Sequence, residues 1–113
     1  MKQIIIDTHT HTKASDGSFT PEQSVAYAAS QGIQVMAKTD HDTVFGNDLA
    51  IEAGEKYGVK VIPGIEIDAL HTDKTTGTIV KGIELLGLGI DSSKLQPFCD
   101  KLSKIRFSNV ENA

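Results

Sequence analysis

Asp7, His9 and His11 stand at i, i+2 and i+4 in the run Asp7-Thr8-His9-Thr10-His11, so a strand continued through them turns all three side chains to one face. Two imidazoles meeting there can bind a divalent cation once both are neutral. A carboxylate beside them can ligate too, or orient a ring through its second nitrogen. The alternative is an exposed polar strand end. Similar chemistry recurs downstream in Asp16-Gly17, in Thr39-Asp40-His41-Asp42-Thr43 and at Glu66 after Ile62-Pro63-Gly64-Ile65, and three of the four His fall in the first run and these segments together.

The elements that must carry these residues are legible from pattern. Gln3 to Thr8, with the β-branched run Ile4-Ile5-Ile6, reads as a first strand buried on both faces. Thr20-Pro21-Glu22-Gln23 supplies an N-cap, a proline in the first turn and a capping-box Gln, and Gly32 closes that helix after Gln31. Ile33 to Ala37 reads as a second strand, Asn47 to Lys56 as a second helix ended by Gly58, and Val59 to Ile62 as a third strand. Strand starts separated by about 30 and 26 residues match β-α units with right-handed crossovers, hence parallel strands. The polar stretch from Asp68 to Thr78 reads as a loop, and Ile79 to Ile90 as a further strand punctuated by Gly82, Gly87 and Gly89. Ser92 is expected to cap a last helix whose Leu95, Phe98, Leu102 and Ile105 form an apolar face, before a polar tail from Ser108 to Ala113. In parallel α/β folds ligands bind at the carboxyl ends of the strands, where both His clusters and Glu66 fall.

Composition narrows the function classes. The chain has 113 residues, 39% apolar and 23% charged, which suits one globular domain and excludes a disordered or fibrous one. Eleven Lys and Arg against fifteen Asp and Glu leave a net charge of -4, so no net positive field holds a nucleic-acid backbone nonspecifically. An anionic substrate needs local help, and bound cations supply it most simply. Cys99 is the only cysteine, which excludes an intramolecular disulfide and a Cys-based zinc site, and its expected role is that of a small helix-face residue. The N-terminal apolar run is too short for a signal peptide and no stretch approaches the roughly 20 apolar residues of a membrane span, so a cytoplasmic location is expected.

Taken together, Asp7 to Thr12, Ser15-Asp16-Gly17, Thr20-Pro21, Thr39 to Thr43 with Gly46, and Pro63-Gly64-Ile65-Glu66-Ile67 resemble the PHP (polymerase and histidinol phosphatase) family from Ile4 to about Ile90. The closest likeness is to its metal-dependent phosphoesterases of nucleotides or short RNA. The resemblance implies part of a distorted (β/α)7 barrel, its first three to four parallel β-α units, and up to three divalent ions (Mn, Zn, Fe or Mg), with fewer in a chain this short. By resemblance His9, His11 and Glu66 hold one metal, Glu66 bridges to a second, and Asp16 and His41 hold a third. Asp16, His41 and Glu66 are then also the catalytic set, while Asp7 and Asp40 orient the His ligands and Asp42 is a further candidate. The implied reaction is hydrolysis of a phosphate ester in a nucleotide, an oligonucleotide or a small phosphomonoester.

Some features depart from that pattern. Family members usually carry a His in the strand before Leu-Gly-x-Gly-Ile, where this chain has Glu84. A carboxylate ligand there favours a harder ion such as Mn²⁺ over Zn²⁺, whereas the alternative is a solvent-facing strand residue. His71, in the polar stretch, is a candidate substitute against the alternative of a solvated loop residue. Lys13 and Lys38 flank the clusters and are candidates to meet phosphate oxygens, or else ordinary surface cations. A full β/α barrel takes about 250 residues, and the family's later His and Asp-x-His motifs are missing, so residues 1-113 read as the N-terminal portion of the domain. Hydrolysis by this chain alone is expected to be weak or absent, and its open sheet to self-associate as a homo-oligomer. Two rivals are a noncatalytic metal-binding or assembly module, which binds ions without turnover, and an amidohydrolase, which Ser15-Asp16-Gly17 and Thr39-Asp40-His41-Asp42 fit poorly.

Overall fold

Thr20 caps the first helix in the way its spacing predicts. In the computed structural model, which describes residues 3-111 and side chains through residue 105, its hydroxyl accepts the Gln23 backbone N–H while the Gln23 side chain accepts that of Thr20. Helix α1 (Pro21–Ser30) follows strand β1 (Ile6–Thr10) and leads to β2 (Val35–Lys38); α2 (Asn47–Tyr57) leads to β3 (Lys60–Thr72), and β4 (Ile79–Leu88) precedes α3 (Ser92–Glu111). The sheet order is β1-β2-β3-β4. The first three strands are parallel, as the β-α spacing requires.

β3 and β4 form an antiparallel hairpin, not a fourth parallel unit. β3 runs eight residues beyond Pro63-Gly64 because the segment read as a polar loop pairs in register, Asp68 with Glu84 and His71 with Val80, and only the turn around Asp73 to Thr78 is loop. Asp91, not Ser92, caps α3: its carboxylate accepts the Ser93 and Lys94 backbone N–H groups and the Ser93 hydroxyl, and these bonds hold its pKa below the ordinary carboxylate value. α3 continues through the expected polar tail to Glu111, and positions 112 and 113 lie outside the described residues.

The core has two parts. Val25, Ala28, Met36, Ala50, Ala53, Val59 and Val61 pack α1 and α2 against the sheet. Val44, Ile65 and Cys99 form a second cluster, with Ile67, Ile90 and Leu95 against it. Leu95 and Cys99 are one helical turn apart, so α3 docks through this stripe, whereas Phe98 and Ile105 of the expected apolar face are 41% and 54% exposed. Residues alternate along β3, which puts Val61, Ile65 and Ile67 on the helix-covered face and Glu66 and Asp68 on the other.

β1 is not buried on both faces: Ile4, Ile5 and Ile6 are 65%, 49% and 56% exposed. β1 is an edge strand, and no described element covers its outer side. Leu70, Ile79, Val80, Leu85 and Leu88 are likewise exposed along the hairpin. The radius of gyration is 16.2 Å, against about 13 Å for a compact domain of this length, so the fold is an open half-barrel. Cys99 is buried, and burial raises its thiol pKa above the ordinary value.

Gly54 marks the tightest approach of α2 to the sheet. A Cβ there would stand 2.5 Å from the Val59 carbonyl oxygen and 2.7 Å from Val61 Cγ2. Ala favours helices over Gly by about 1 kcal/mol, but overpacking against a backbone carbonyl costs about 1–3 kcal/mol. Gly54→Ala is therefore expected to lower the Tm in thermal unfolding, and an unchanged or raised Tm would contradict this packing.

Candidate metal centre

Glu66 is 1% exposed, and three imidazoles close on its carboxylate. His9 Nε2 lies 2.6 Å and His11 Nε2 3.3 Å from Oε1, while His41 Nδ1 lies 2.7 Å from Oε2. Asp16 joins the other side, with Oδ1 3.0 Å from His11 Nδ1 and Oδ2 3.0 Å from His41 Nε2. Asp68 Oδ2 is 2.7 Å from His41 Nδ1. The His9–His11 and His11–His41 ring centroids are 5.1 and 4.3 Å apart. Three overlapping groups result, each with donor atoms within 4.8 Å of one another: His9, His11 and Glu66; His11, Asp16 and His41; and His41, Glu66 and Asp68.

The folding of each loop explains the convergence. The Asp16 loop turns back so tightly that a Cβ on Gly17 would stand 2.3 Å from the His11 carbonyl oxygen, and the Gly17 N–H bonds the Thr12 carbonyl at 2.8 Å. Only glycine permits that approach, and it leaves Asp16 facing His11 and His41. His41 extends β2 by a single parallel bridge to Glu66, secured by Glu66 N–H to the Asp40 carbonyl and Asp42 N–H to the Glu66 carbonyl. Asp42 takes a left-handed backbone (φ 52°), a conformation Asp tolerates better than most residues, and its carboxylate accepts the Asp68 N–H at 3.2 Å. Asp42 thereby positions Asp68.

A buried ion pair holds these loops. Lys38 and Asp40 are both 0% exposed, with Nζ 2.6 Å from Oδ2. The ammonium's other bonds run to the Phe45 carbonyl and Asn47 Oδ1, which uses all three of its protons. Asp40 also accepts from the Thr12 N–H, the Thr12 hydroxyl and the Ser15 hydroxyl. Burial pulls the Lys38 pKa below its ordinary value, more than Asp40 restores. Burial pushes Asp40 the other way, yet the bonds from Lys38, Ser15 and Thr12 hold it below the ordinary carboxylate value.

These contacts correct several expectations. Lys38 cannot meet a phosphate, because its ammonium is consumed inside the protein. Asp40 orients loops and not imidazole rings. Asp7 does not join the His face: the β1–β2 register shifts between Asp7 and Thr10, and its carboxylate accepts the His9 backbone N–H at 3.1 Å. Glu84 sits opposite Asp68 but belongs to none of the three groups. His71 lies five residues beyond Glu66, roughly 16 Å along an extended strand, out of reach of the cluster. Lys13 is exposed at the head of the Asp16 loop. Asp68 was missed because it opens a stretch that reads as loop; its i+2 spacing from Glu66 was the available signal.

The donor set fits a divalent ion. Glu66 Oε2 and His11 Nδ1 are buried without an aligned hydrogen-bond donor or acceptor, although side chains lie close to both. Among the described residues no Lys or Arg pairs with Glu66 or Asp16 in an ion pair. Buried carboxylates persist when paired or bound to cations, and neutral imidazoles with carboxylates suit a borderline or hard divalent ion. Without one, burial lowers the His41 pKa, but the Asp68 hydrogen bond and the charges of Glu66, Asp68 and Asp16 outweigh it and raise the ring above its ordinary value.

A parallel β/α half-barrel that gathers imidazoles and carboxylates at its strand ends defines a metal-site protein of the β/α-barrel class. More specifically, the PHP domain model matches residues 7–107, and the chain belongs to that family. It is 36% identical over 108 residues to a phosphoribosyl 1,2-cyclic phosphate 1,2-diphosphodiesterase of Eggerthella lenta, covering 94% of this chain and 39% of the relative. It is 38% identical over 87 residues to a 5'-3' exoribonuclease of Haemophilus influenzae, covering 77% and 29%. A Chromobacterium violaceum structure described as an amidohydrolase with bound sulfate and no metal superposes with a TM-score of 0.75 at 30% identity, over 94% of this chain and 34% of that one. The chain thus spans about a third of the length of these relatives.

Asp40→Asn leaves the buried Lys38 ammonium without its counter-charge and is expected to destabilise the chain by about 3–5 kcal/mol. Adding Lys38→Met should cost less than the sum of the two single changes. Denaturant unfolding of the four variants measures both, and simple additivity would show that the pair is not coupled.

Proposed function

We propose that the chain carries the metal-holding part of a phosphoesterase, in which His9, His11, Asp16, His41, Glu66 and Asp68 bind divalent ions beside a phosphate ester. The observation that carries this reading is the buried Glu66 carboxylate, ringed by three imidazoles and, among the described residues, paired with no Lys or Arg. An ion bound there supplies Lewis-acid polarisation of a phosphoryl oxygen and a water of lowered pKa. The chain's own residues set the geometry: Glu66 spans two of the three groups, Asp16 joins His11 to His41, and Asp42 holds Asp68 in place. Overall, water adds at phosphorus and one ester P–O bond breaks, releasing an alcohol with phosphate from a monoester, or an alcohol with a phosphate monoester from a diester. Substrates are nucleotides, short oligonucleotides or small phosphomonoesters, supported by the names of the relatives. Asp16, His41 and Glu66 are the proposed catalytic set.

Mn²⁺ is the proposed preferred ion, because carboxylates make up half of the six ligands. A reducing, cytoplasmic setting suits a chain whose one cysteine is a buried free thiol, and among the described residues no helix is long and apolar enough to cross a membrane. We further propose that the exposed β1 and hairpin side chains are covered by a second copy of the chain. Sedimentation should then show a dimer or larger species at micromolar concentration; a monomer that binds no hydrophobic dye would refute it.

Metal content after dialysis against Mn²⁺, together with hydrolysis of an aryl phosphate, tests the main reading. The wild-type chain should retain metal, with slow turnover. Glu66→Gln, which disturbs two groups, should retain less metal than His9→Ala, which disturbs one, and His41→Ala should abolish turnover. Retained metal with no turnover of any phosphate ester would favour the noncatalytic module, turnover of an anilide but not of the ester would favour an amidohydrolase, and absence of metal would defeat all three.

A further inference from the structure

His11 follows β1, Asp16 lies in the next loop and His41 follows β2, and of these three donors of one metal group Asp16 is the least secured by packing. Its side chain is 66% exposed, and its described partners are the two imidazoles and, at 3.5 Å, the Ser15 hydroxyl. Contact with neighbours therefore does not fix where the Asp16 carboxylate stands. Its position has to come from the backbone that carries it.

One buried carboxylate reaches the residue next to each of the three donors. Asp40 itself precedes His41. Its Oδ1 accepts the N–H of Thr12, which follows His11, and the hydroxyl of Ser15, which precedes Asp16, each at 2.7 Å. The Lys38 ammonium holds the other oxygen at 2.6 Å, so the carboxylate is not free to turn. Every donor of the group is thus one residue away from the same knot, and the knot sets their separations.

Ser15 is the member of that knot whose role the fold alone does not explain. A hydroxyl has one proton to give. It stands 2.7 Å from Asp40 Oδ1 and 3.5 Å from Asp16 Oδ1, so the proton goes to Asp40. Asp40 keeps Lys38, the Thr12 N–H and the Thr12 hydroxyl without it. The turn keeps its own bonds too, from the Ser15 and Gly17 N–H groups to the Thr12 carbonyl. What the hydroxyl adds is a cross-link between the Asp16 loop and the segment carrying His41, one residue from each ligand.

From this we infer that Ser15 is a positioning residue: by its bond to Asp40 it sets Asp16 against His41 and so tunes ion binding at the group of His11, Asp16 and His41, the one of the three that contains Asp16. The inference rests on the proposed metal-holding reading and adds to it the residue that adjusts a single group.

Titration of the metal-free chain with Mn²⁺, with free ion read by electron paramagnetic resonance, tests it without relying on turnover. Ser15→Ala should weaken the binding of one ion by about tenfold, the lower end of the loss caused by removing a supporting hydrogen bond at metal sites, and leave any other bound ion at wild-type affinity. Ser15→Thr, which keeps the hydroxyl, should bind as the wild type does. Asp16→Ala should weaken the same ion, and adding Ser15→Ala to it should cost nothing more, because the hydroxyl acts through Asp16. Wild-type affinity in Ser15→Ala, an equal loss for every bound ion, a loss by the same factor whether or not Asp16 is present, or a loss in Ser15→Thr as large as in Ser15→Ala refutes the positioning role and leaves the metal-holding reading in place. If the wild-type chain binds no Mn²⁺, that reading fails and the inference with it.

Discussion

The Lys38–Asp40 ion pair lies inside the protein, and the candidate site is built around it. Taking two charges out of water costs several kcal/mol for each ion, and here the cost is offset because nearly every hydrogen-bonding position on both groups is used. Asp40 gathers the Thr12–Ser15 turn, and Lys38 gathers the Phe45 carbonyl and Asn47. Asn47 in turn donates to the Gly64 carbonyl and the Ser92 hydroxyl, joining α2 to β3 and to the start of α3. One buried pair therefore ties together the two loops that carry Asp16 and His41 and the strand that carries Glu66.

On that frame the sheet performs a division of labour along a single strand. Odd positions of β3 bury Val61, Ile65 and Ile67 beneath helices, and even positions present Glu66 and Asp68 to the imidazoles. The positive φ of Asp42 sits between them, a local strain of the sort found at functional sites. Its carboxylate steadies Asp68, so a proposed ligand is supported by a residue that itself belongs to none of the three donor groups. The same framework leaves an apolar edge on β1 and the hairpin open, which is why the molecule is more extended than its length suggests.

Much of this was legible from residue order. The capping box at Thr20 and Gln23, the Gly58 stop and the β-α spacing predicted α1, α2 and three parallel strands, because each depends on short-range backbone chemistry. His9, His11, Asp16, His41 and Glu66 could be nominated because chemistry-bearing residues recur at strand ends. Burial of β1 was misjudged: a β-branched run reports that a strand forms, not whether anything covers it. The hairpin was missed for a related reason, since the polar residues Asp68 to Thr72 are stabilised by pairing with β4 rather than by their own propensity.

What the sequence determined by itself was therefore the set of local elements and the types of donor atom available. Tertiary structure decided which donors meet. In a linear reading Lys38 is a phosphate contact or a surface cation and Asp40 a support for imidazole rings, but packing between distant segments seals both from water. Asp68 becomes a neighbour of His41 only because β3 continues past Glu66. Those outcomes arise from contacts between residues distant along the chain, and no local pattern of residue types encodes the distances at which they close.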